Sequence, residues 1–144
     1  MIILGSDHAG YEAKEDIKRF LSEIDQDFED EGTFSSESCD YPVIAENVAK
    51  KVAKSKNSKG ILICGSGIGV SIAANKIKGI RAALCMNPEL AEMARKHNDA
   101  NILCLAARFM SYEQMHESIS KFLSANFEGG RHQRRIEQIE SIEN

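Results

Sequence analysis

The sequence has no long apolar run, no basic leader and no linker-like tract. Its longest apolar stretches are only a few residues long, whereas a membrane-spanning helix needs about 20 apolar residues. The first ten residues, MIILGSDHAG, contain an aspartate and a histidine and no basic segment, so we expect no secretory signal. No repeat or low-complexity tract divides the 144 residues. We therefore expect no membrane association and a single domain over residues 1–144.

Cysteine pairs at metal-binding spacing are also absent. The four cysteines, at positions 39, 64, 85 and 104, form no CxxC motif and have no histidine at zinc-finger spacing. This excludes a recognisable structural zinc site. Three of the four end or interrupt apolar, strand-like runs, which favours reduced, buried thiols in a cytoplasmic protein over a disulfide framework. We expect no metal and no cofactor.

The charge balance is acidic overall but uneven along the chain. The formal net charge is -4. Residues 1–40 hold 12 acidic and 3 basic side chains, whereas residues 41–144 hold 10 acidic and 15 basic ones. An acidic total argues against a nucleic-acid partner. The basic later part still allows a small anionic ligand.

Short apolar segments alternate with helical patterns about five times, at spacings of 20–30 residues. This alternation is typical of βαβ units and predicts an α/β fold, with a parallel sheet and helices on both of its faces. Strands are predicted over residues 1–5, 25–30, 60–64, 80–85 and 101–105, residues 25–30 being a weak edge strand. Helices are predicted up to about residue 23 and over residues 40–52, 70–76, 88–96, 112–125 and 131–142.

The last predicted helix, residues 131–142, extends beyond the alternating pattern. Its apolar residues Ile136, Ile139 and Ile142 form a stripe on an otherwise polar and charged helix. We expect this stripe to need a partner chain to cover it.

The candidate chemistry lies where strands of a parallel sheet end, because ligands bind at the carboxyl edge of such sheets. Asp7 and His8 follow the first strand, Gly65-Ser66-Gly67-Ile68-Gly69 follows the third, and we expect His97-Asn98 near the same edge. Three glycines in five residues let backbone N–H groups approach an anion. The same pattern also fits a plain strand-to-helix turn, and it matches neither GxGxxG nor a P-loop.

Cys64 ends the third strand and faces the glycine loop. A thiol near a helix N-terminus is favoured as the thiolate, which could remove a carbon-bound proton while backbone donors hold the resulting oxyanion. An isolated cysteine here would be an inert buried strand residue, as we expect of Cys85 and Cys104. With the loop adjacent, the catalytic interpretation is favoured.

The other polar candidates each have a structural alternative. Asp7 could cap the first helix, and His97-Asn98 could be a surface or capping pair that breaks a helix. Arg131, Arg134 and Arg135 form a dense basic cluster with His132. This cluster fits a solvated helix face with i,i+4 pairing or a phosphate clamp.

Five segments together resemble the type B ribose-5-phosphate isomerase family. They are GSDHAGYEAK, DYP, GILICGSGIGVSIAANKIKGIRAALC, ARKHNDANIL and FEGGRHQRRI, and they keep the order and spacing of the family motifs over nearly the whole chain. The family also includes galactose-6-phosphate isomerase subunits and allose-6-phosphate isomerases. The resemblance implies a Rossmann-like three-layer αβα sandwich with a five-stranded parallel sheet and a C-terminal helical extension.

The resemblance further implies a metal-independent aldose–ketose isomerase that interconverts ribose 5-phosphate and ribulose 5-phosphate through an enediolate. Cys64 matches the catalytic base, and Ser66 stands where the family often has threonine. His97 matches the residue that opens the sugar ring. The N–H groups of residues 65–69, with Asn98, would hold the enediolate oxygen.

The remaining implied contacts bind the substrate. Asp7 lies near the sugar hydroxyls in the catalytic centre. His8, Arg131 and Arg135 match phosphate contacts. Arg108 is a further binding position, and Tyr41 forms a side wall of the site. In the family the site lies between subunits, so we expect a homodimer or a tetramer of two dimers, with an arm over residues 128–144 packed on the partner. Two alternatives stay open: a hexose-6-phosphate isomerase of the same family, and a non-enzymatic phosphosugar-binding domain.

Overall fold

The computed structural model of the protein describes residues 1–143. Five parallel strands form one sheet with the order β2-β1-β3-β5-β4. The strands are β1 (Ile2–Ser6), β2 (Phe28–Asp30), β3 (Lys59–Cys64), β4 (Ala82–Leu84) and β5 (Ile102–Ala106). The helices are α1 (Tyr11–Glu23), α2 (Tyr41–Ala53), α3 (Ile68–Ala74), α4 (Pro88–Asn98), α5 (Tyr112–Ser124) and α6 (Arg131–Ile142). The predicted α/β fold with a five-stranded parallel sheet and a C-terminal helix is confirmed.

The core has two halves, one on each face of the sheet. Successive side chains of a strand point to opposite faces, so Ile61 and Ile63 of β3 pack with α1, α4 and α5. Leu62 and Cys64 point to the other face, where α2 and α3 cover them. This alternation explains why the central strand is continuously apolar, because both of its faces are buried. It also directs the Cys64 side chain toward α2 and α3.

One predicted boundary shifts for an identifiable reason. β4 starts at Ala82 rather than at residue 80, because the Arg81 N–H donates to the Asn101 side chain at 2.8 Å instead of joining the strand ladder. Asp40 precedes α2, with Pro42 in the first turn as predicted, but its side chain makes no capping hydrogen bond. The weak edge strand exists but is confined to Phe28–Asp30.

The apolar stripe of α6 is only partly free. Ile136 is buried within the chain, at 3% exposure, so the expectation that the whole stripe needs a partner is wrong for this residue. Ile139 and Ile142 remain exposed, at 45% and 80%. Residue 144, the end of the predicted arm, lies outside the described residues. Within residues 1–143, no helix has the length and apolar character needed to cross a membrane.

Candidate active site

An open cleft of about 550 Å³ lies at the carboxyl edge of the sheet. It forms where the chain leaves β1, β3 and β5, which the parallel topology brings side by side. Nine of the predicted site residues line this cleft: Asp7, His8, Tyr41, Cys64, Gly65, Ser66, Ile68, Gly69 and, from the segment after β5, Arg108.

The glycine loop between β3 and α3 requires glycine for both conformation and space. Gly67 has φ +74°, in the left-handed region that side chains rarely adopt. A Cβ atom there would lie 2.4 Å from Leu84 Cδ1 and 3.1 Å from the Leu105 carbonyl oxygen. The loop therefore lies directly on the ends of β4 and β5, which fixes the direction of its N–H groups.

The Cys64 thiol is held at the base of the cleft by this loop. The Gly67 N–H donates to Cys64 Sγ at 3.1 Å, and the side chain is 5% exposed, with access through the cleft. Next to it, Ser66 Oγ accepts the Ile68 N–H at 3.2 Å, which leaves the hydroxyl proton free to be donated.

Asp7 and His8 are fixed by backbone contacts on the β1 side of the cleft. Asp7 Oδ1 accepts the Gly10 N–H at 3.0 Å, so Asp7 caps the short 3₁₀ turn at His8–Gly10 while its other oxygen stays available. Asp7 was predicted to cap the first helix, but it caps the 3₁₀ turn that leads into α1, and Gly10 stands at the N-cap of α1 itself. His8 Nδ1 accepts the Cys39 N–H at 3.2 Å, which places the proton of the neutral ring on Nε2. His8 can therefore donate to a ligand oxygen.

Two glycines let large side chains close the cleft. A Cβ atom on Gly69 would lie 2.5 Å from the Tyr41 ring, so the absence of a side chain at position 69 allows Tyr41 to form a wall, as predicted. Gly65 likewise leaves room for the Arg108 side chain, because a Cβ atom on Gly65 would lie 3.0 Å from Arg108 Nη1. The Arg108 N–H also donates to the Gly65 carbonyl at 3.0 Å, which anchors this cation at the rim.

His97 and Asn98 do not lie at this edge, and that expectation is wrong. They form the last turn of α4, which runs back from the carboxyl end of β4 to the amino end of β5. The six residues of β3 separate the two edges by about 16 Å. Because a helix that returns between parallel strands ends at their amino edge, His97 and Cys64 of one chain cannot share a substrate.

Arg131 and Arg135 also stay outside the cleft. Both are exposed residues of α6, and among the ion pairs of residues 1–143 none involves them. Glu137 accepts a hydrogen bond from Gln133 Nε2 at 3.1 Å and forms no ion pair with these arginines within the described residues. These guanidinium groups keep their hydrogen-bonding capacity for a ligand.

A second polar group, which sequence reasoning missed, surrounds His97. The rings of His97 and His132 stack with centroids 4.4 Å apart, and Glu128 lies beside both. Partial burial lowers the pKa of His132, as do the neighbouring His97 and Arg131. The spacings of 31 residues from His97 to Glu128 and 4 residues from Glu128 to His132 match no known motif. The three residues meet because α6 packs on α4.

The remaining thiols are placed as expected. Cys85 and Cys104 are buried, and Cys39 is partly exposed. Burial raises the pKa of Cys85 to about 11 and that of Cys104 further. Both are therefore inert thiols at neutral pH, in contrast to the cleft-lining Cys64.

Comparison with known proteins identifies the family. A model of the Ribose/Galactose Isomerase family matches residues 2–139. Ribose-5-phosphate isomerase B of Escherichia coli is 46% identical over 142 residues, which cover 99% of this chain and 95% of that protein. A probable ribose-5-phosphate isomerase B of Mycoplasma genitalium is 45% identical, covering 96% of this chain and 92% of that protein.

Solved structures agree with this result. Ribose-5-phosphate isomerase B of Clostridium thermocellum has a TM-score of 0.96 and 46% identity, covering 99% of this chain and 96% of that one. The Mycoplasma genitalium enzyme, solved with bound ribulose 5-phosphate, has a TM-score of 0.95 and 44% identity, covering 99% and 95%. Fold, motif order and overall similarity lead to one conclusion: the chain belongs to the ribose/galactose isomerase family.

Proposed function

We propose that this protein is an aldose–ketose isomerase that interconverts ribose 5-phosphate and ribulose 5-phosphate. The observation that carries the proposal is the Cys64 thiol, which lies at the base of an open cleft with the Gly67 N–H 3.1 Å from its sulfur. Relatives that match almost the full length are named as ribose-5-phosphate isomerases, and one is described with bound ribulose 5-phosphate.

The reaction moves one proton between adjacent carbons. In the open-chain aldose, the Cys64 thiolate takes the proton from C2, and the electron pair forms a C1–C2 double bond as the C1 carbonyl oxygen becomes an oxyanion. Loop N–H groups stabilise this enediolate. Ser66 assists transfer of the O2 proton to O1, and Cys64 returns its proton to C1, which gives the ketose. A base, an oxyanion site and a phosphate anchor are sufficient, so the step needs no metal and no nucleotide.

A complete site requires two subunits, because His97 and Asn98 lie at the opposite edge of the sheet from Cys64. We assign the cleft of one chain and His97, Asn98, Arg131 and Arg135 of the other to the same active site. His97 would protonate the ring oxygen during ring opening, and the arginines would bind the phosphate. A two-fold homodimer then carries two sites, and two dimers could form a tetramer.

The exposed residues of the C-terminal arm support this assembly. Ile139 and Ile142 leave an apolar surface on α6, and Arg131 and Arg135 on the same helix make no ion pair within residues 1–143. A two-fold interface would bury the apolar side chains and bring the cations to the partner's cleft. Four unpaired cysteines also favour a reducing cytoplasmic location, where the reaction would serve the pentose phosphate pathway.

Proton exchange at C2 tests the proposed base directly. In deuterated water, the protein should exchange the C2 proton of ribose 5-phosphate, and Cys64→Ala should slow this by about 10²–10⁴-fold. Cys39→Ala is the matched control, since Cys39 lies outside the cleft lining, and it should leave exchange unchanged. Retained exchange in a folded Cys64→Ala protein would refute Cys64 as the base.

Complementation tests the shared site. Cys64→Ala and His97→Asn chains, co-expressed with different tags and purified as mixed dimers, should combine one intact site with one doubly altered site. Such dimers should recover about half of the wild-type activity per dimer, although each variant alone is inactive. No recovery in dimers of verified composition would contradict the assignment.

The hexose-phosphate alternative rests on the family name, which includes galactose. Comparing kcat/KM for ribose 5-phosphate, allose 6-phosphate and galactose 6-phosphate distinguishes it from the main proposal. Binding of all these sugars without turnover would instead favour a non-enzymatic phosphosugar-binding domain.

A further inference from the structure

The cluster of His97, Glu128 and His132 lies at the junction of α4 and α6, away from the cleft at the carboxyl edge. Each residue offers one ligand atom, and the three atoms lie within 4.8 Å of one another. His97 Nε2 is 3.6 Å from Glu128 Oε1, and His132 Nε2 is 3.7 Å from the same oxygen.

These distances suit a metal ion better than a hydrogen bond. Both exceed the 2.7–3.2 Å range of N–H···O hydrogen bonds. Zinc bound tetrahedrally at 2.0–2.1 Å from each ligand gives ligand–ligand separations of roughly 3.3–3.4 Å. Each histidine nitrogen therefore needs to approach the carboxylate oxygen by only a few tenths of an ångström, and the two nitrogens, which lie within 4.8 Å of each other, must also draw together.

The backbone holds the three ligands together. The Glu128 N–H donates to the Lys96 carbonyl at 3.0 Å, which fixes Glu128 beside the neighbouring His97. Gly129 and Gly130 both have positive φ, and they turn the chain so that α6 begins at once. The His132 N–H then donates to the Gly129 carbonyl at 3.0 Å. The two histidine rings stack at an interplanar angle of 12°, so one ring must turn about its Cβ–Cγ bond for both Nε2 lone pairs to meet one ion.

Charges of both signs surround the cluster, which is open to solvent. The shallow cleft beside it is lined by Glu89, Glu92 and Glu128 against one basic residue, Lys96. Lys96 is paired with Glu92 at 2.5 Å. The opposing positive charges are Arg131 and Arg135 of α6, which act on His132, and Lys121, which pairs with Glu92 at 3.4 Å. His97 and Glu128 are 37% and 51% exposed, so an ion can enter from solvent.

We infer that His97, Glu128 and His132 form a zinc-binding site with its fourth position open to water, and that zinc acts as a reversible inhibitor. Two imidazoles and a carboxylate are a ligand set that zinc prefers. An ion on Nε2 of His97 would prevent this ring from transferring a proton. The inhibitory part depends on the proposed isomerase function, whereas the binding part does not.

Zinc binding is tested first, on the intact protein in a Cys64→Ala background, so that the cleft thiol does not compete for the ion. Titration against a chromophoric chelator should show one zinc per chain. Glu128→Gln and His132→Gln should each weaken this affinity by about tenfold or more. Glu89→Gln, in the same cleft but outside the cluster, and His116→Gln, a histidine elsewhere, are the matched controls and should bind as the parent does.

Inhibition is tested next, with wild-type protein. Zinc should reduce isomerase activity, and a chelator should restore it. Glu128→Gln should need about tenfold more zinc for half-inhibition, relative to its own metal-free rate. Equal zinc affinity of the parent and both cluster variants would overturn the site. Specific zinc binding without inhibition in an active enzyme would overturn the inhibitory role. Absence of any isomerase activity would refute the proposed function but would not affect the binding result.

Discussion

Gly67→Ala is the change whose consequences the geometry predicts most closely. An alanine at φ +74° adopts a left-handed conformation, which costs about 1–2 kcal/mol for a residue with a Cβ atom. The added Cβ would also lie 2.4 Å from Leu84 Cδ1 and 3.1 Å from the Leu105 carbonyl oxygen. The leucine tip can move, but the β5 backbone cannot, so overpacking adds roughly 1–3 kcal/mol.

Gly79→Ala separates the two contributions. Gly79 has φ +88°, and a Cβ atom there would meet nothing within 4 Å. This variant should lose only the conformational part, about 1–2 kcal/mol. For a chain of this length, that corresponds to a fall in Tm of roughly 3–6 °C, against about 6–15 °C for Gly67→Ala.

Activity should distinguish the two variants further. In the unaltered protein the Gly67 N–H lies 3.1 Å from Cys64 Sγ, and a displaced loop would move it away. If about 1.4 kcal/mol of transition-state stabilisation is lost, kcat should fall by tenfold or more. Gly79→Ala should keep the wild-type kcat. Thermal unfolding and proton exchange, measured on both proteins, check these values. Equal destabilisation, or a wild-type kcat for a folded Gly67→Ala protein, would refute the claim that loop contact positions the thiolate.

Three further predictions follow from charge and burial. Arg135→Ala should raise KM by about tenfold with a smaller effect on kcat, through loss of a charged phosphate contact. Arg134→Ala on the same helix is the control and should leave KM unchanged. Equal KM values for the two variants would contradict phosphate binding by Arg135. Burial alone would raise the pKa of Asp30, but its hydrogen bonds from two lysines and a backbone N–H lower it overall. The stability it contributes is therefore present above the unfolded aspartate pKa, near ~3.9, and lost as pH falls through the lower folded value, so Asp30→Asn should flatten the acid limb of stability against pH. Iodoacetamide at pH 8 should modify Cys64, which lines the cleft, but not Cys85, whose buried thiol has its pKa raised to about 11. Mass spectrometry of the native protein checks this, and modification of Cys85 as fast as Cys64 would contradict it.

Much of the fold follows from local sequence patterns. The apolar run GILIC marks β3, because a strand buried on both faces must be apolar throughout. The alternation of such runs with helical patterns requires a parallel sheet, and the carboxyl edges of its strands then lie together. This reasoning placed Cys64, Asp7 and the glycine loop correctly in one cleft, since Cys64 ends a strand and the other two directly follow one.

The sequence alone was misleading where a residue follows a helix rather than a strand. His97 and Asn98 end α4 and so lie at the amino edge of the sheet. This follows from the direction in which the helix runs, which no local sequence pattern indicates. The burial of Ile136 and the approach of His132 and Glu128 to His97 are likewise decided by how α6 packs on α4.

Local sequence therefore determined the strands, the helices and the chemistry at the end of β3, because propensity and apolar periodicity act over a few residues. Only the tertiary structure decided which distant groups meet. It divided the candidate residues between two edges of one sheet, since residues far apart in sequence come together through chain direction and packing, which short-range patterns do not encode.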